Sequence, residues 1–138
     1  MKYALHQRSA LVLLSLIVAG CAHHHIPAAQ LQGRWQRTEL NFGLGLKDGS
    51  ELSEAQWSQF LASEITPRFP AGLSVVRMIG QWRDPAGAIV RENSHMVVIM
   101  HPGTAEDDAK IEAIRSAYVR QFEQDAVLRI DSPVIVRF

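Results

Sequence analysis

A single cysteine, Cys21, in 138 residues excludes an internal disulfide, so whatever folds here must rest on its apolar core. An excess of charge is missing too. Fourteen basic side chains balance fourteen acidic ones without a basic stripe, and nucleic acid, which demands concentrated positive charge, is not an expected partner. No apolar run approaches the roughly 18 residues of a membrane-spanning helix. Catalytic signatures are equally scarce: there is no Gly-x-Ser-x-Gly, no His-Glu-x-x-His and no paired metal-ligand spacing. Ser94 and His95 are adjacent, so in a strand they face opposite sides and form no nucleophile–base pair. Gly43-x-Gly45 opens no helix directly and reads as a turn, not a phosphate cradle. No cofactor is expected.

What is present begins with an address. A basic start (Lys2, Arg8) precedes a short apolar run, Ala10 to Ala19, and Leu16-Ile17-Val18-Ala19-Gly20-Cys21 closes it. That is the layout of a secretory signal peptide. The small pair before the cysteine resembles the bacterial lipoprotein cleavage box. The resemblance implies cleavage after residue 20, lipid on Cys21, and a domain held in the periplasm. Ala22, where an Asp would retain the protein at the inner membrane, resembles the pattern of outer-membrane sorting. Losing Lys2 and Arg8 with residues 1–20 leaves 12 basic and 14 acidic side chains, a net charge of −2. Residues 21–32 are small, polar and Pro-interrupted, as befits a tether. His23-His24-His25 lies within it, and three neighbours on a mobile chain do not preorganise a metal shell, so they read as spacer.

Residues 33–138 suit one domain. Leu40 and Phe42 alternate with Glu39 and Asn41 as in a half-buried strand. Ser53 with Gln56 forms a capping box, with Leu52 and Trp57 as a hydrophobic staple, and Trp57, Phe60, Leu61 and Ile65 share a helical face that Pro67 ends. Two β-rich runs, Leu73–Arg83 and Ile89–His101, flank Asp84-Pro85-Ala86-Gly87, a type I turn sequence. Thr104 with Asp107 caps a second helix whose buried face is Ile111, Ile114, Tyr118 and Phe122. A last strand runs from about Ala126 to Phe138, interrupted near Pro133. The order β-α-β-β-α-β predicts an α+β fold, a ferredoxin-like sandwich with both helices on one face of a four-stranded antiparallel sheet. In it the first and third strands are central, the fourth flanks the first and the second flanks the third.

Period-2 alternation then predicts that Leu40, Phe42, Val76, Met78, Met96, Val98, Met100, Leu128 and Ile130 face the helices. The opposite face would carry Glu39, Asn41, Arg77, Gln81, Arg91, Asn93, His95, Arg129 and Asp131, with Glu39 and Arg129 as a cross-strand ion pair. Glu39, Arg77, His95, Arg129 and Asp131 are therefore the candidate ligand-binding set: the arginines for a carboxylate or phosphate, His95 as a proton carrier. The same face also reads as a solvated surface or as the interface of a homodimer. His101, before Pro102, reads as a strand-end loop residue, and Trp82 as packing.

Several segments resemble the blocks of one family: Thr38-Glu39-Leu40-Asn41-Phe42-Gly43, Thr66 to Leu73, Gly80-Gln81-Trp82-Arg83, Ile89-Val90-Arg91-Glu92, and Val127 to Pro133. The family is bacterial, often exported, and described as domain of unknown function 3574. The resemblance covers residue 35 to the end and implies no activity, cofactor or catalytic residue. The expected function is accordingly a lipid-anchored periplasmic binding or interaction module, meeting a small anionic ligand or a partner protein on the open sheet face. The alternative is a small cofactor-independent enzyme with a pocket on the sheet containing His95, Glu39 and Arg129.

Overall fold

Two capping boxes set where the helices start. Ser53 accepts from the Gln56 amide while the Gln56 side chain accepts from Ser53, opening α1, Glu54–Phe60. Thr104 and Asp107 repeat the arrangement at α2, Ala105–Phe122. Each box satisfies N–H groups that the first helical turn would otherwise leave without a partner. After Phe60 the chain widens into one π-helical turn over Leu61–Ile65. In the computed structural model, which describes residues 34–137, these helices cover a sheet of β1 (Arg34–Gly43), β2 (Ser74–Arg83), β3 (Ile89–His101) and β4 (Leu128–Ile135). The expected signal segment, Cys21 and the tether of residues 21–32 lie outside the described residues.

The sheet is antiparallel, in the order β2-β3-β1-β4. This is the ferredoxin-like α+β arrangement, with the two helices on one face. The β2–β3 turn closes through Gly87 N–H to Asp84 C=O, 3.0 Å. Pro133 sits in β4, an edge strand, where a missing N–H costs no ladder bond.

The core lies between sheet and helices. Phe42 of β1 is fully buried under Trp57, Phe60 and Tyr118, with ring centroids 4.8–6.0 Å apart. The Phe42–Phe60 and Phe42–Tyr118 contacts are edge-to-face, the geometry aromatic quadrupoles favour. All four apolar positions expected of α2, Ile111, Ile114, Tyr118 and Phe122, are buried here. The Tyr118 hydroxyl donates to the Gly43 carbonyl at 2.7 Å, so its burial strands no polar atom. Burial, helped by the negative charge of Glu92, pushes its ionisation well above the ordinary tyrosine range.

Face assignment holds for β1 and is reversed on the other three strands. Leu40 and Phe42 point at the helices, but the register pairs them with Val97 and His95, not with Val98 and Met96. On β4 Arg129 stands opposite Leu40 and Asp131 opposite Thr38; on β2 Arg77 stands opposite His95. The helix face therefore carries Arg77, His95, Val97, Ile99, Arg129 and Asp131. Val76, Met78, Met96, Val98, Met100, Leu128 and Ile130 look the other way. The reason lies in β3: Met96-Val97-Val98-Ile99-Met100 is apolar at every position, so alternation there has no phase, and a one-residue choice flips a whole strand.

Candidate functional site

The five candidate side chains do not converge. Glu39 alone stays on the open face, accepting from Arg37 Nε at 2.8 Å. The expected Glu39–Arg129 pair does not form, because Glu39 is opposite Ile130. Arg77 reaches Glu54 of α1 at 3.2 Å. His95, 3% exposed, stacks on Trp57 with centroids 4.5 Å apart, its Nδ1 without a hydrogen-bond partner among the described residues and its Nε2 3.8 Å from Glu54. Burial holds its ionisation below the ordinary histidine value; Glu54 opposes that shift and Arg77 adds to it.

Arg129 and Asp131 do meet, in a network between β4 and α2. Arg129 donates to Asp131 through Nε (2.8 Å) and to Asp108 (2.7 Å) and Glu112 (2.8 Å) through Nη1. Glu112 also receives Arg115, which donates to the Val127 carbonyl. Burial works against ionising Asp131, but Thr38, Arg129 and His101 outweigh it and hold the carboxyl below its usual range. With three carboxylates on its Nε and Nη1 donors, Arg129 sits in negative surroundings that disfavour an anionic ligand.

The same network contains a set that sequence reading missed. Thr38 Oγ1 lies 2.8 Å from His101 Nε2 and donates to Asp131 Oδ1. The Gly103 N–H donates to His101 Nδ1 at 3.1 Å, so the imidazole proton resides on Nε2 and points at Thr38. The threonine proton is thus committed to Asp131, and the histidine is a donor to it, not a base. Thr38 is fully buried and His101 is 4% exposed. The set braces β1, β3 and β4 together without an activated nucleophile. His101 is the last residue of β3, its ring buried, where a strand-end loop residue was expected. The available signal was its even spacing from His95, Val97 and Ile99.

The open face is different in kind. Apolar side chains from β2, β3 and β4 stand on it in solvent: Val76, Trp82, Met100, Leu128 and Ile130 are 38–58% exposed. At the end nearest the β1–α1 loop this face deepens into a groove of about 790 Å³. Its floor is glycine. A Cβ on Gly43 would stand 2.5 Å from Glu92 Oε1, and one on Gly80 would be 4.0 Å from the Trp82 ring. Glu92 therefore lies over β1 where no side chain obstructs it, accepting from the Gly45 N–H at 3.0 Å. Asn41, on the groove wall, has a buried Oδ1 without a hydrogen-bond partner among the described residues. Among the described residues no cluster of ligating side chains suits a metal ion, and no helix is long and apolar enough to cross a membrane.

The profile of the family described as Protein of unknown function (DUF3574) matches residues 37–138. The chain belongs to this family. Four of the five blocks that carried the sequence resemblance reach the groove, through Asn41 and Gly43, Gly80 and Trp82, Val90 to Glu92, and Leu128; the block from Thr66 to Leu73 does not. No curated protein matches the chain. Among solved structures it is similar to a phage SAM lyase in complex with S-methyl-5′-thioadenosine, at 19% identity over 77% of this chain and 93% of that one, TM-score 0.56. The apo phage lyase gives 18% over 78% and 94%, TM-score 0.54. CutA1 from Oryza sativa gives 14% over 77% and 84%, TM-score 0.51. At these identities the likeness is one of fold.

Proposed function

We propose that this DUF3574 chain is a lipid-anchored module of the bacterial envelope that acts by binding, with the open face of its sheet as the contact surface. The observation that carries the reading is the exposed apolar character of that face. An antiparallel sheet with one side in water ordinarily alternates apolar-in and polar-out, and a contiguous exposed apolar surface marks a contact site. The Leu16-to-Cys21 box supports the anchor and the periplasmic address, with Ala22 favouring the outer membrane. A small anionic ligand has little to hold it here: the cations Arg77 and Arg129 are on the other side, and Arg37 is engaged by Glu39.

The occupant that fits the apolar part, around Val98, Met100 and Ile130, is a second copy of the chain. An isologous interface must be self-complementary. Arg37 and Glu39 project from the central strand on this face as one charge of each sign, so two copies related by a twofold axis set each arginine near the partner's glutamate. The enzyme alternative lacks its pocket, since Glu39 and His95 lie on opposite faces of the sheet. The test is sedimentation of the full chain carrying Cys21→Ser, which removes the acylation site. Association that Ile130→Lys abolishes without lowering the melting temperature supports the reading. A chain monomeric at all concentrations, and stabilised by no added ligand, refutes it.

A further inference from the structure

Glu92 is a feature of the open face that apolar contact does not explain. It is half-buried, yet no ion pair among the described residues includes it. Glu39, Glu64 and Glu112, buried to a similar degree, each have an arginine within 3.0 Å. Its neighbour Arg91 points to the other face and donates to Gln81; Lys47, on the groove rim, lies 4.0 Å from Glu123. Glu92 Oε1 has the Gly45 N–H, and Oε2 has no hydrogen-bond partner among the described residues.

The groove around it has the size of a small-molecule site. Trp82, 47% exposed, offers a ring face that no other aromatic side chain among the described residues covers, and Met78 and Leu128 add apolar wall. The sign of the ligand follows from what filling the groove does to Glu92. An anion meets its charge head-on. A neutral apolar molecule strips water from an unpaired carboxylate, which is costly. A cation covers the groove and supplies the missing partner, while its flat body packs on the Trp82 ring face. Building on the reading of the open face as a binding surface, we infer that this groove holds a small organic cation with a flat apolar body, its charge on Glu92 and its body against Trp82.

Isothermal titration of the full Cys21→Ser chain with three probes of one shape tests this: benzamidinium, neutral benzamide and anionic benzoate. Benzamidinium should bind at least about tenfold more tightly than benzamide, with benzoate the weakest. Glu92→Gln should erase the preference, with benzamidinium weakened and benzamide bound no less tightly than before, while leaving the melting temperature unchanged. Trp82→Ala should weaken benzamidinium and benzamide alike. Equal binding of the cation and the neutral probe, a preference that survives Glu92→Gln, or no saturable benzamidinium binding up to about 10 mM each overturns the inference. Association that depends on Ile130 would then still stand, so loss of the cation site and loss of the binding-face reading are distinguishable.

Discussion

Arg129→Ala measures what the β4–α2 network contributes. The guanidinium side chain is 18% exposed and its three carboxylate partners are 39–61% exposed. Fully exposed pairs contribute about 0–1 kcal/mol, and breaking a fully buried pair costs about 3–5 kcal/mol; this site lies between them. Two of the three carboxylates keep other donors, Glu112 from Arg115 and Asp131 from Thr38, and Asp108 turns to water. The expected loss is therefore about 2–3 kcal/mol, roughly one charge-assisted hydrogen bond left unmade plus lost packing of the stem. It is read from urea unfolding as a lowered midpoint at constant slope. Arg129→Lys, which keeps the charge but not the planar fork, should recover part of it. A loss under about 1 kcal/mol would refute the reasoning and make the network solvated surface.

The acid response should show a step set by His95. Its folded value lies below 6.5 because burial disfavours the charged ring, so the unfolded chain takes the proton first and stability present above about pH 6.5 is lost as pH falls through the folded value. Melts between pH 7.5 and 5 should show that slope and His95→Phe should flatten it; the depressed carboxyls of Asp107, Glu112 and Asp131 act only lower, below 3.8–4.5. Gly43→Ala should displace Glu92 from the Gly45 N–H and cost about 1 kcal/mol in the same urea assay, whereas an unchanged midpoint would mean Glu92 is not seated on that glycine. Cys21→Ser should move the protein from the membrane to the soluble periplasmic fraction with the domain's melting temperature unchanged, because the core lies wholly within residues 40–127; retention in the membrane fraction would defeat the anchor assignment.

The capping boxes, the buried faces of both helices, the Asp84–Gly87 turn and the element order are all legible in the chain, because each is a local pattern read within one turn or one strand. Element order and connection length then give the strand order, since few topologies accommodate them. The phase of β2, β3 and β4 is another matter. Five consecutive apolar residues in β3 and the Val75-Val76 pair in β2 give both faces an equal claim, and in β4 the apolar Leu128 and Ile130 suggested a core face. What settles β4 is distant in sequence: Asp108 and Glu112, one turn apart on α2, present carboxylates at the flank where Arg129 passes, so the charged side turns inward and the apolar side faces water. The Thr38–His101–Asp131 brace, and the glycine floor that seats Glu92, likewise join residues 47 to 93 positions apart. Local periodicity specifies what each segment is; only packing two layers together, where one register must satisfy every buried charge at once, decides which way its side chains point.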